Sequence, residues 1–488
     1  MTMNENPLFL DSTERSKLWK RVIDEIESYT ESVDSLHVGP DLNLDRIHSR
    51  LRPLKFDVPM DPMEAIDLVV GGLRDHQIHT SSRRCFGLFV PASSTMGIVA
   101  DALAAAYNPQ LGAWGHCPIG CEVENHVIQA LGERFGYQPG QIDGVFASGG
   151  TEANHTALLC ALTTKFDSYM TEGAGSLSKR PIVYTSIESH HSIAKAARLS
   201  GLGKASVRLM PVDDSQRMCF DALCNQVEKD IAHGHRPFFV TATAGTTAAG
   251  AVDPIPEILS LARKHDMWVH VDAAWGGAAV ISPKLRPILA GIEQSDSITF
   301  DAHKWLSAPM GAGIFLTSHP DIMRKTFAVS ADYMPKDAAG LDIVEPFNHS
   351  MQCSRRFIGL KVFLSLLVAG FDGYAQIIQR QAEMGVLLKQ QLVMNNWRIV
   401  NDTQLPVACF VDASGMCRDS ASAPDDIVQY VVSSGKAWIS SAKLAGKGMV
   451  IRACITNFRT DESDIRALMD LLNEARTHVA SLTASAVK

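Results

Sequence analysis

Closely spaced cysteine pairs, which would indicate disulfides or a metal site, are missing from this sequence of 488 residues. A large excess of acidic or basic residues is missing as well. Its ten cysteines are scattered, no two are separated by two residues, and the closest pair is Cys117 and Cys121. This spacing favours reduced thiols over a disulfide framework, and we predict no metal centre. Acidic residues number 53 and basic residues 45, so a net charge of −8 predicts no attraction to nucleic acid or to an anionic membrane.

Long apolar runs and a targeting signal are lacking as well. No apolar run approaches the roughly 18 residues that a membrane helix needs. Residues 1–20 do not show the basic, apolar and small segments of a signal peptide. Because 46% of the residues are hydrophobic and 20% charged, the composition is that of a globular protein. We expect a cytoplasmic protein without a membrane partner.

Short apolar runs alternate with helical patterns from about residue 140. The runs that we predict as strands are 144–148, 181–186, 237–243, 267–272, 297–301 and 312–318. Because helix-length segments separate most of them, the pattern predicts an α/β fold with a mostly parallel sheet flanked by helices. Ligands bind such sheets at the carboxyl ends of the strands.

The two ends of the chain differ from this central region. We predict a helical N-terminal segment at 1–100, a large domain at 101–372 and a smaller C-terminal α/β domain at 373–488. Asp11 and Asp461 each precede a helical pattern, where a carboxylate can accept hydrogen bonds from the first N–H groups. Both residues are therefore predicted to cap helices.

Two motifs at strand ends have the chemistry of a binding site. SGGTEAN (148–154) joins a strand to a helix, where the N–H groups of Gly150 and Thr151 favour an anion such as phosphate. Taken alone, this motif is somewhat more often a tight strand-to-helix turn. Asp272 ends the strand in HVDAAWGG, where a carboxylate can hold a heterocyclic nitrogen protonated or simply cap a turn.

Lys304 follows a third strand, in the motif DAHKW, one strand–helix unit after Asp272. A lone lysine is more often a solvated loop residue, because burial of its charge costs free energy unless the amine is paired or used chemically. If the two strands are neighbours, Lys304 lies beside Asp272. A phosphate cradle, a carboxylate for a ring nitrogen and a buried lysine together fit pyridoxal 5′-phosphate held as a lysine Schiff base.

These motifs resemble, in order, those of the group II pyridoxal-phosphate-dependent amino-acid decarboxylases. The similarity runs from FVPASSTMG (89–97) through SGGTEAN, HHSIAKA, TAGTTAAGAVDP, HVDAAWGG and DAHKW to MVIRACI. Within the family the sequence is most similar to bacterial enzymes that act on tryptophan or tyrosine. The resemblance implies a fold-type I homodimer with active sites at the interface, which converts an L-amino acid to its amine and carbon dioxide.

The resemblance also assigns roles to single residues. It makes Lys304 the Schiff-base lysine, places Asp272 at the pyridine nitrogen and stacks His190 on the ring. The further cofactor contacts that it implies are Gly150, Thr151, Thr246, Ala274 and His303. Asp301 stands where many family members have asparagine. Because a carboxylate would repel the phosphate, we expect Asp301 to point away or to bind backbone N–H groups.

Tyr333 lies in the segment VSADYMPKDAAG, which resembles the mobile catalytic loop of the family. There a tyrosine donates the proton to the quinonoid carbon after decarboxylation, whereas family members with phenylalanine tend to form aldehydes. Judged from its own segment, Tyr333 is an exposed loop tyrosine. Its presence favours amine formation over an aldehyde synthase or aminotransferase reaction.

The residues that we predict to line the substrate pocket are Phe86, Phe89, Trp114, His116 and Arg452. The two phenylalanines favour an aromatic or bulky apolar amino acid, although aromatic residues three apart are usually core residues. Trp114 could instead narrow the pocket and favour an aliphatic or diamino acid. Arg452 resembles the arginine that binds the substrate α-carboxylate in the glutamate branch.

Overall fold

The computed structural model describes residues 8–87, 89–329, 340–417 and 422–486. Its centre is a sheet of seven strands in the order β1-β7-β6-β5-β4-β2-β3. The strands are β1 (Asp143–Ala147), β2 (Pro181–Ser186), β3 (Val207–Met210), β4 (Arg236–Thr243), β5 (Trp268–Asp272), β6 (Ser297–Asp301) and β7 (Gly313–Thr317). The pairs from β6 to β3 are parallel, and β7 is antiparallel to both of its neighbours.

The predicted mostly parallel sheet is confirmed, and each of the six predicted runs forms one strand. Strand β3 was not predicted because it lies at the sheet edge and is mostly not buried. An edge strand of this kind has no continuous apolar run that would distinguish it from a loop.

Helices cover both faces of the sheet. They are α1 (Ser12–Ser32), α2 (Leu44–Leu51), α3 (Pro62–Asp75), α4 (Thr95–Tyr107), α5 (Pro118–Phe135), α6 (Gly150–Lys165), α7 (Tyr169–Glu172), α8 (Ser192–Leu199), α9 (Phe220–Ala232), α10 (Ile255–Lys264), α11 (Ile322–Phe327), α12 (Gly359–Met394), α13 (Ala423–Ser433) and α14 (Glu462–Ala486). Helices α6, α8 and α11 pack on one face, and α5, α9 and α10 on the other. The predicted caps are confirmed, since Asp11 and Asp461 accept hydrogen bonds from the first N–H groups of α1 and α14.

A second, antiparallel sheet forms the C-terminal unit. Its strands are β8 (Trp397–Ile399), β9 (Val407–Asp412), β10 (Ser440–Leu444) and β11 (Gly448–Cys454), in the order β10-β11-β9-β8. Helices α13 and α14 pack their apolar faces against this sheet. The domain boundary predicted at residue 372 falls inside α12, just after Gly370, where the backbone leaves the helical conformation (φ 65°, ψ 169°).

Helix α12 is long and apolar enough, by length and composition alone, to cross a membrane. It is divided at Gly370, and its buried side chains include those of Lys361, Tyr374 and Gln381. The helix also packs against α4, α5 and α14. Because buried polar side chains and contacts with neighbouring helices occur along its length, we interpret α12 as the helix that joins the two sheets.

The N-terminal helices leave large apolar side chains on the surface. Trp19 and Ile23 of α1 are 62% and 58% exposed, and Val69 of α3 and Tyr107 of α4 are also exposed. Contiguous apolar surface on a folded protein marks a site of interaction. Within the described residues, the apolar face of α1 is therefore not covered by the rest of the chain.

Candidate active site

The carboxyl ends of β4, β5 and β6 and the start of α6 surround a cavity of about 370 Å³. Parallel strands bring residues that are distant in sequence to one edge of the sheet. Seven of the predicted site residues line this cavity: Gly150, Thr151, His190, Asp272, Ala274, His303 and Lys304. The structure thus brings together the lysine, the carboxylate and the glycine-rich turn.

Asp301 and Lys304 form an ion pair at the cavity wall. Lys304 Nζ lies 2.9 Å from Asp301 Oδ2, and the Asp301 side chain is only 2% exposed. The expectation that Asp301 points away or binds backbone N–H groups was wrong. Its carboxylate faces Lys304, because a lysine at a buried strand end needs a compensating charge.

Helix α6 begins at Gly150, where it meets the cavity. The first N–H groups of a helix have no acceptor within it, and the helix dipole makes this end positive. A Cβ atom at Gly150 would lie 2.9 Å from Asp301 Oδ2 and 3.5 Å from the Ala274 side chain. Glycine therefore keeps the helix start open, which suits an anion bound by the N–H groups of Gly150 and Thr151.

Asp272 is 4% exposed and is held by two donors. Its Oδ2 accepts a hydrogen bond from Asn154 Nδ2 at 2.9 Å, and its Oδ1 accepts one from the Ala274 N–H at 3.1 Å. Strand β5 pairs in parallel with β6, with Asp272 opposite Thr299, so the neighbour relation on which the lysine prediction depended is confirmed.

Asn154 was not among the predicted site residues. It lies four residues after Gly150, which places it on the same face of α6 as the cavity-lining helix start. That spacing was the available signal, but an asparagine inside a helix is more often solvent-exposed. Its partner Asp272 is 118 residues away in sequence, and only the fold shows that they meet.

The two histidines at the cavity are both held through Nδ1. His190 Nδ1 lies 2.8 Å from Ser192 Oγ, and His303 Nδ1 accepts from the Ala312 N–H at 3.2 Å. Burial lowers the pKa of each imidazole, because the protein interior disfavours the cation. Neutral imidazoles suit the predicted roles, His190 beside a flat ring and His303 as an Nε2–H donor to phosphate.

Thr246 is buried without lining the cavity. Its hydroxyl accepts a hydrogen bond from the Ala251 N–H at 3.1 Å, while Gly245 and Thr247 on either side of it line the wall. The structure therefore places Thr246 behind the wall where the sequence predicted a ring contact.

Phe86 and Phe89, predicted for the substrate pocket, have different surroundings. Phe86 is fully buried in the core of the C-terminal unit, which is the alternative that the sequence left open. Phe89 stacks on Trp275 with ring centroids 4.3 Å apart, and Trp275 lines the cavity. Only Phe89 is thus in contact with the cavity wall.

Arg452 lies next to Phe89. Its guanidinium carbon is 4.4 Å from the Phe89 ring centroid, and Nη1 and Nε donate to the carbonyl oxygens of Gly87 and Thr247. Nη2 is buried and has no hydrogen-bond partner among the residues that the structure describes. A buried guanidinium nitrogen without an acceptor, beside the cavity-lining Thr247, suits an anionic group of a ligand.

Trp114 and His116, also predicted for the substrate pocket, are not part of this cavity. Trp114 begins a short helical turn and donates its indole N–H to Glu122, and His116 ends this turn and contacts Gln110. Tyr333 lies outside the described residues.

Comparison with known proteins agrees with this geometry. Residues 49–412 match the model of the pyridoxal-dependent decarboxylase conserved domain. An aromatic-L-amino-acid decarboxylase of Bacillus atrophaeus is 29% identical, over 96% of each chain. A human acidic amino acid decarboxylase is 27% identical, over 81% of this chain and 78% of that protein.

The fold is also similar to a solved structure. The crystal structure of Oryza sativa TDC with PLP and tryptamine superposes with a TM-score of 0.90, covering 97% of this chain and 99% of that one. Its sequence identity is 23%, so the likeness concerns the fold. The predicted fold-type I architecture is confirmed.

Proposed function

The chain belongs to the pyridoxal-dependent decarboxylase family and is an amino-acid carboxy-lyase that uses pyridoxal phosphate; from this premise we propose that its substrate is an aromatic or bulky apolar L-amino acid. The use of this cofactor is supported by the meeting of Lys304, Asp272 and the start of α6 at one cavity. No single one of these features identifies the site, but together they match the groups of one cofactor.

The residues at the cavity fit that cofactor. Lys304 would hold it covalently, Asp272 would face its pyridine nitrogen, and the N–H groups of Gly150 and Thr151 with His303 would hold its phosphate. When bound, pyridoxal phosphate accepts the electron pair that the departing carboxyl group leaves behind.

The chain's own residues then determine the outcome of the reaction. His190 orients the substrate carboxyl group, so that the bond to this group is the one that breaks. Arg452 offers its free Nη2 to an anionic group of the substrate. Tyr333 delivers a proton to the substrate Cα after carbon dioxide leaves. Exclusion of water from the reacting substrate limits side reactions.

The proposed substrate class is supported by the stacked pair of Phe89 and Trp275 at the wall. Flat apolar side chains favour an aromatic ligand through stacking and burial. Trp114, which would have narrowed the pocket, does not line the cavity. The relatives include proteins named for aromatic and for acidic amino acids. Arg452 offers only one free guanidinium nitrogen, which the proposal gives to the α-carboxylate of the substrate. Arg452 therefore has no second free nitrogen for an acidic side chain.

We also propose a cytoplasmic homodimer with active sites at the subunit interface. The exposed apolar residues of α1, α3 and α4 support this assembly.

A panel of amino acids tests the substrate class. We expect the purified holoenzyme, incubated with the twenty amino acids, dopa and diaminobutyrate, to release aromatic amines detected by mass. Ammonia and peroxide, measured in the same samples, should stay at background. Release of aliphatic amines alone would contradict the aromatic assignment, and aldehyde with ammonia would contradict simple decarboxylation.

Replacement of Tyr333 with phenylalanine tests the proton donor. We expect Tyr333→Phe to lower amine formation by about 100-fold, because a positioned general acid contributes about 10²- to 10⁴-fold. Cofactor absorbance should be retained. Tyr430→Phe, at a tyrosine that contacts Glu474 outside the cavity, is the matched control. Unchanged amine output from Tyr333→Phe would remove this residue from the reaction.

Asp301 gives a prediction on cofactor affinity. Asp301→Asn removes a carboxylate next to the phosphate site and releases Lys304 from its ion pair, so we expect pyridoxal phosphate to bind about tenfold more tightly, or by about 1.4 kcal/mol. Titration of the cofactor-free protein, followed by visible absorbance, measures the dissociation constant. Weaker binding by the asparagine variant would show that the carboxylate supports the cofactor.

A further inference from the structure

A buried chain of hydrogen bonds behind the cavity connects the two residues assigned to the cofactor ring, Asp272 and His190. The members of this chain, which we call the Asn154 network, are Ser297, His270, Asn154, Ser192, His190 and Asp272. The first four are at most 1% exposed. Such burial requires each polar atom to have a defined donor or acceptor.

Asn154 is the junction of the network. Its Nδ2 lies 2.9 Å from Asp272 Oδ2 and 2.8 Å from Ser192 Oγ, and its Oδ1 lies 2.9 Å from His270 Nε2. A carboxylate can only accept hydrogen bonds, so the amide must turn its NH₂ group toward Asp272. The carbonyl oxygen of Asn154 then faces His270.

His270 contacts the carbonyl oxygen of the Asn154 amide. The indole N–H of Trp268 can only donate, and it lies 2.9 Å from Ser297 Oγ, so the serine accepts from it and has its own proton to donate to His270 Nδ1 at 2.9 Å. Burial lowers the pKa of His270 to about 4, so the ring is neutral. Because the Asn154 carbonyl oxygen faces Nε2 and can only accept, the single proton of the ring is on Nε2 and is donated to Asn154.

Ser192 extends the pattern to His190. Its hydroxyl accepts from Asn154 and lies 2.8 Å from His190 Nδ1, and its backbone N–H lies 3.3 Å from the same nitrogen. Because a backbone N–H can only donate, Nδ1 of His190 is an acceptor. The neutral ring of His190 keeps its proton on Nε2.

We propose that Asn154 and Ser192 are positioning residues of this decarboxylase: Asn154 fixes the direction of the Asp272 carboxylate, and Ser192 fixes His190 as its Nε2–H tautomer. The inference rests on the cofactor roles proposed for Asp272 and His190. One donor at each oxygen, from Asn154 and from the Ala274 N–H, prevents the carboxylate from rotating. Asp272 thus stays directed for the pyridine nitrogen.

Nitrogen NMR of the holoenzyme distinguishes this role from a purely structural one. With [¹⁵N]pyridoxal phosphate bound, we expect Asn154→Leu to move the ring-nitrogen signal toward its unprotonated position. We also expect kcat to fall about 10- to 100-fold with little change in KM, as loss of outer-shell partners does at metal sites. Asn457→Leu, which removes another buried amide that contacts backbone carbonyls, should change neither quantity.

The histidine tautomer is a second, separate readout. In protein labelled with [¹⁵N]histidine, the His190 signals, identified by their loss in His190→Gln, should show one Nε2–H tautomer. Ser192→Ala removes the hydroxyl at 2.8 Å but keeps the backbone N–H at 3.3 Å, so it should shift them only in part toward a mixture of tautomers and leave the ring nitrogen unchanged. An unchanged ring-nitrogen signal in Asn154→Leu, or Nδ1–H on wild-type His190, would overturn the proposal.

Variants of His270 provide the same test if Asn154→Leu does not fold. His270→Phe removes the N–H that faces Asn154 Oδ1, whereas His270→Gln retains a donor there. We expect the phenylalanine variant to move the ring-nitrogen signal and the glutamine variant to restore it in part; equal signals would overturn the proposal. If the panel of amino acids yields no amine while these signals behave as described, the proposed function fails and the network stands.

Discussion

Lys304→Ala is expected to abolish amine formation, with a fall in rate on the order of 10⁴- to 10⁶-fold, the range seen when a covalent catalytic group is removed. The variant loses the amine that holds the cofactor and from which the substrate must displace it. Visible absorbance of the bound cofactor should be lost or shifted to that of the free aldehyde. Mass detection of the amine and an absorbance spectrum measure both effects.

The ion pair with Asp301 affects how this result is interpreted. Removal of Lys304 leaves the Asp301 carboxylate buried without its cation, which costs about 3–5 kcal/mol in comparable pairs. The double variant Asp301→Asn with Lys304→Ala removes both charges and should recover most of the thermal stability without recovering activity. Activity in this stable double variant would exclude Lys304 from the reaction.

Asp272→Asn should have the next largest effect, a fall in kcat of about 10²- to 10³-fold, as found when one preorganised electrostatic group is removed from an active site. An amide cannot hold the pyridine nitrogen protonated as a carboxylate does, so the cofactor accepts electrons less well. The cofactor itself should remain bound through Lys304 and the start of α6.

The matched control for this variant is Asp230→Asn. Asp230 is 2% exposed, compared with 4% for Asp272, but it pairs with Arg208 and does not line the cavity. We expect this control to keep full activity, whatever it costs in stability. Similar losses of activity in the two variants would mean that Asp272 acts by stabilising the fold.

The sequence predicted the parts of the site that depend on strand order. Asp272 ends β5, and Lys304 lies just after the end of β6, the next strand and its neighbour in the sheet, so one parallel crossover was enough to bring them together. Gly150 was predicted in the same way, from its place between β1 and α6. Each of these residues ends or closely follows an apolar run that is visible in the sequence and forms a strand.

The residues that were missed meet across longer distances. Asn154 of α6 and Ser192 of α8 were not predicted, and no local pattern relates them to each other or to Asp272 of β5. Asp301 was wrongly expected to turn away because only its repulsion from phosphate was considered. The structure shows an attraction that opposes this repulsion, because Lys304 requires a counter-charge and Asp301 supplies it.

The substrate pocket was the least predictable part. Phe86 and Phe89 are three residues apart, yet one is in the core of the C-terminal unit and the other contacts the cavity wall. The sequence around them does not distinguish a core phenylalanine from one at the cavity wall. Only the packing of β11 and Trp275 around them distinguishes the two, because burial and pocket lining select the same residue types.

The covalent position of the cofactor tests the account most directly. We would treat the holoenzyme with borohydride, which makes the link between pyridoxal phosphate and its lysine permanent, and find the labelled peptide by mass spectrometry. The label should be on Lys304. The main competitor is Lys389, whose pKa burial lowers and whose Nζ contacts the Thr403 carbonyl oxygen; a label there, or on no lysine, would contradict the account.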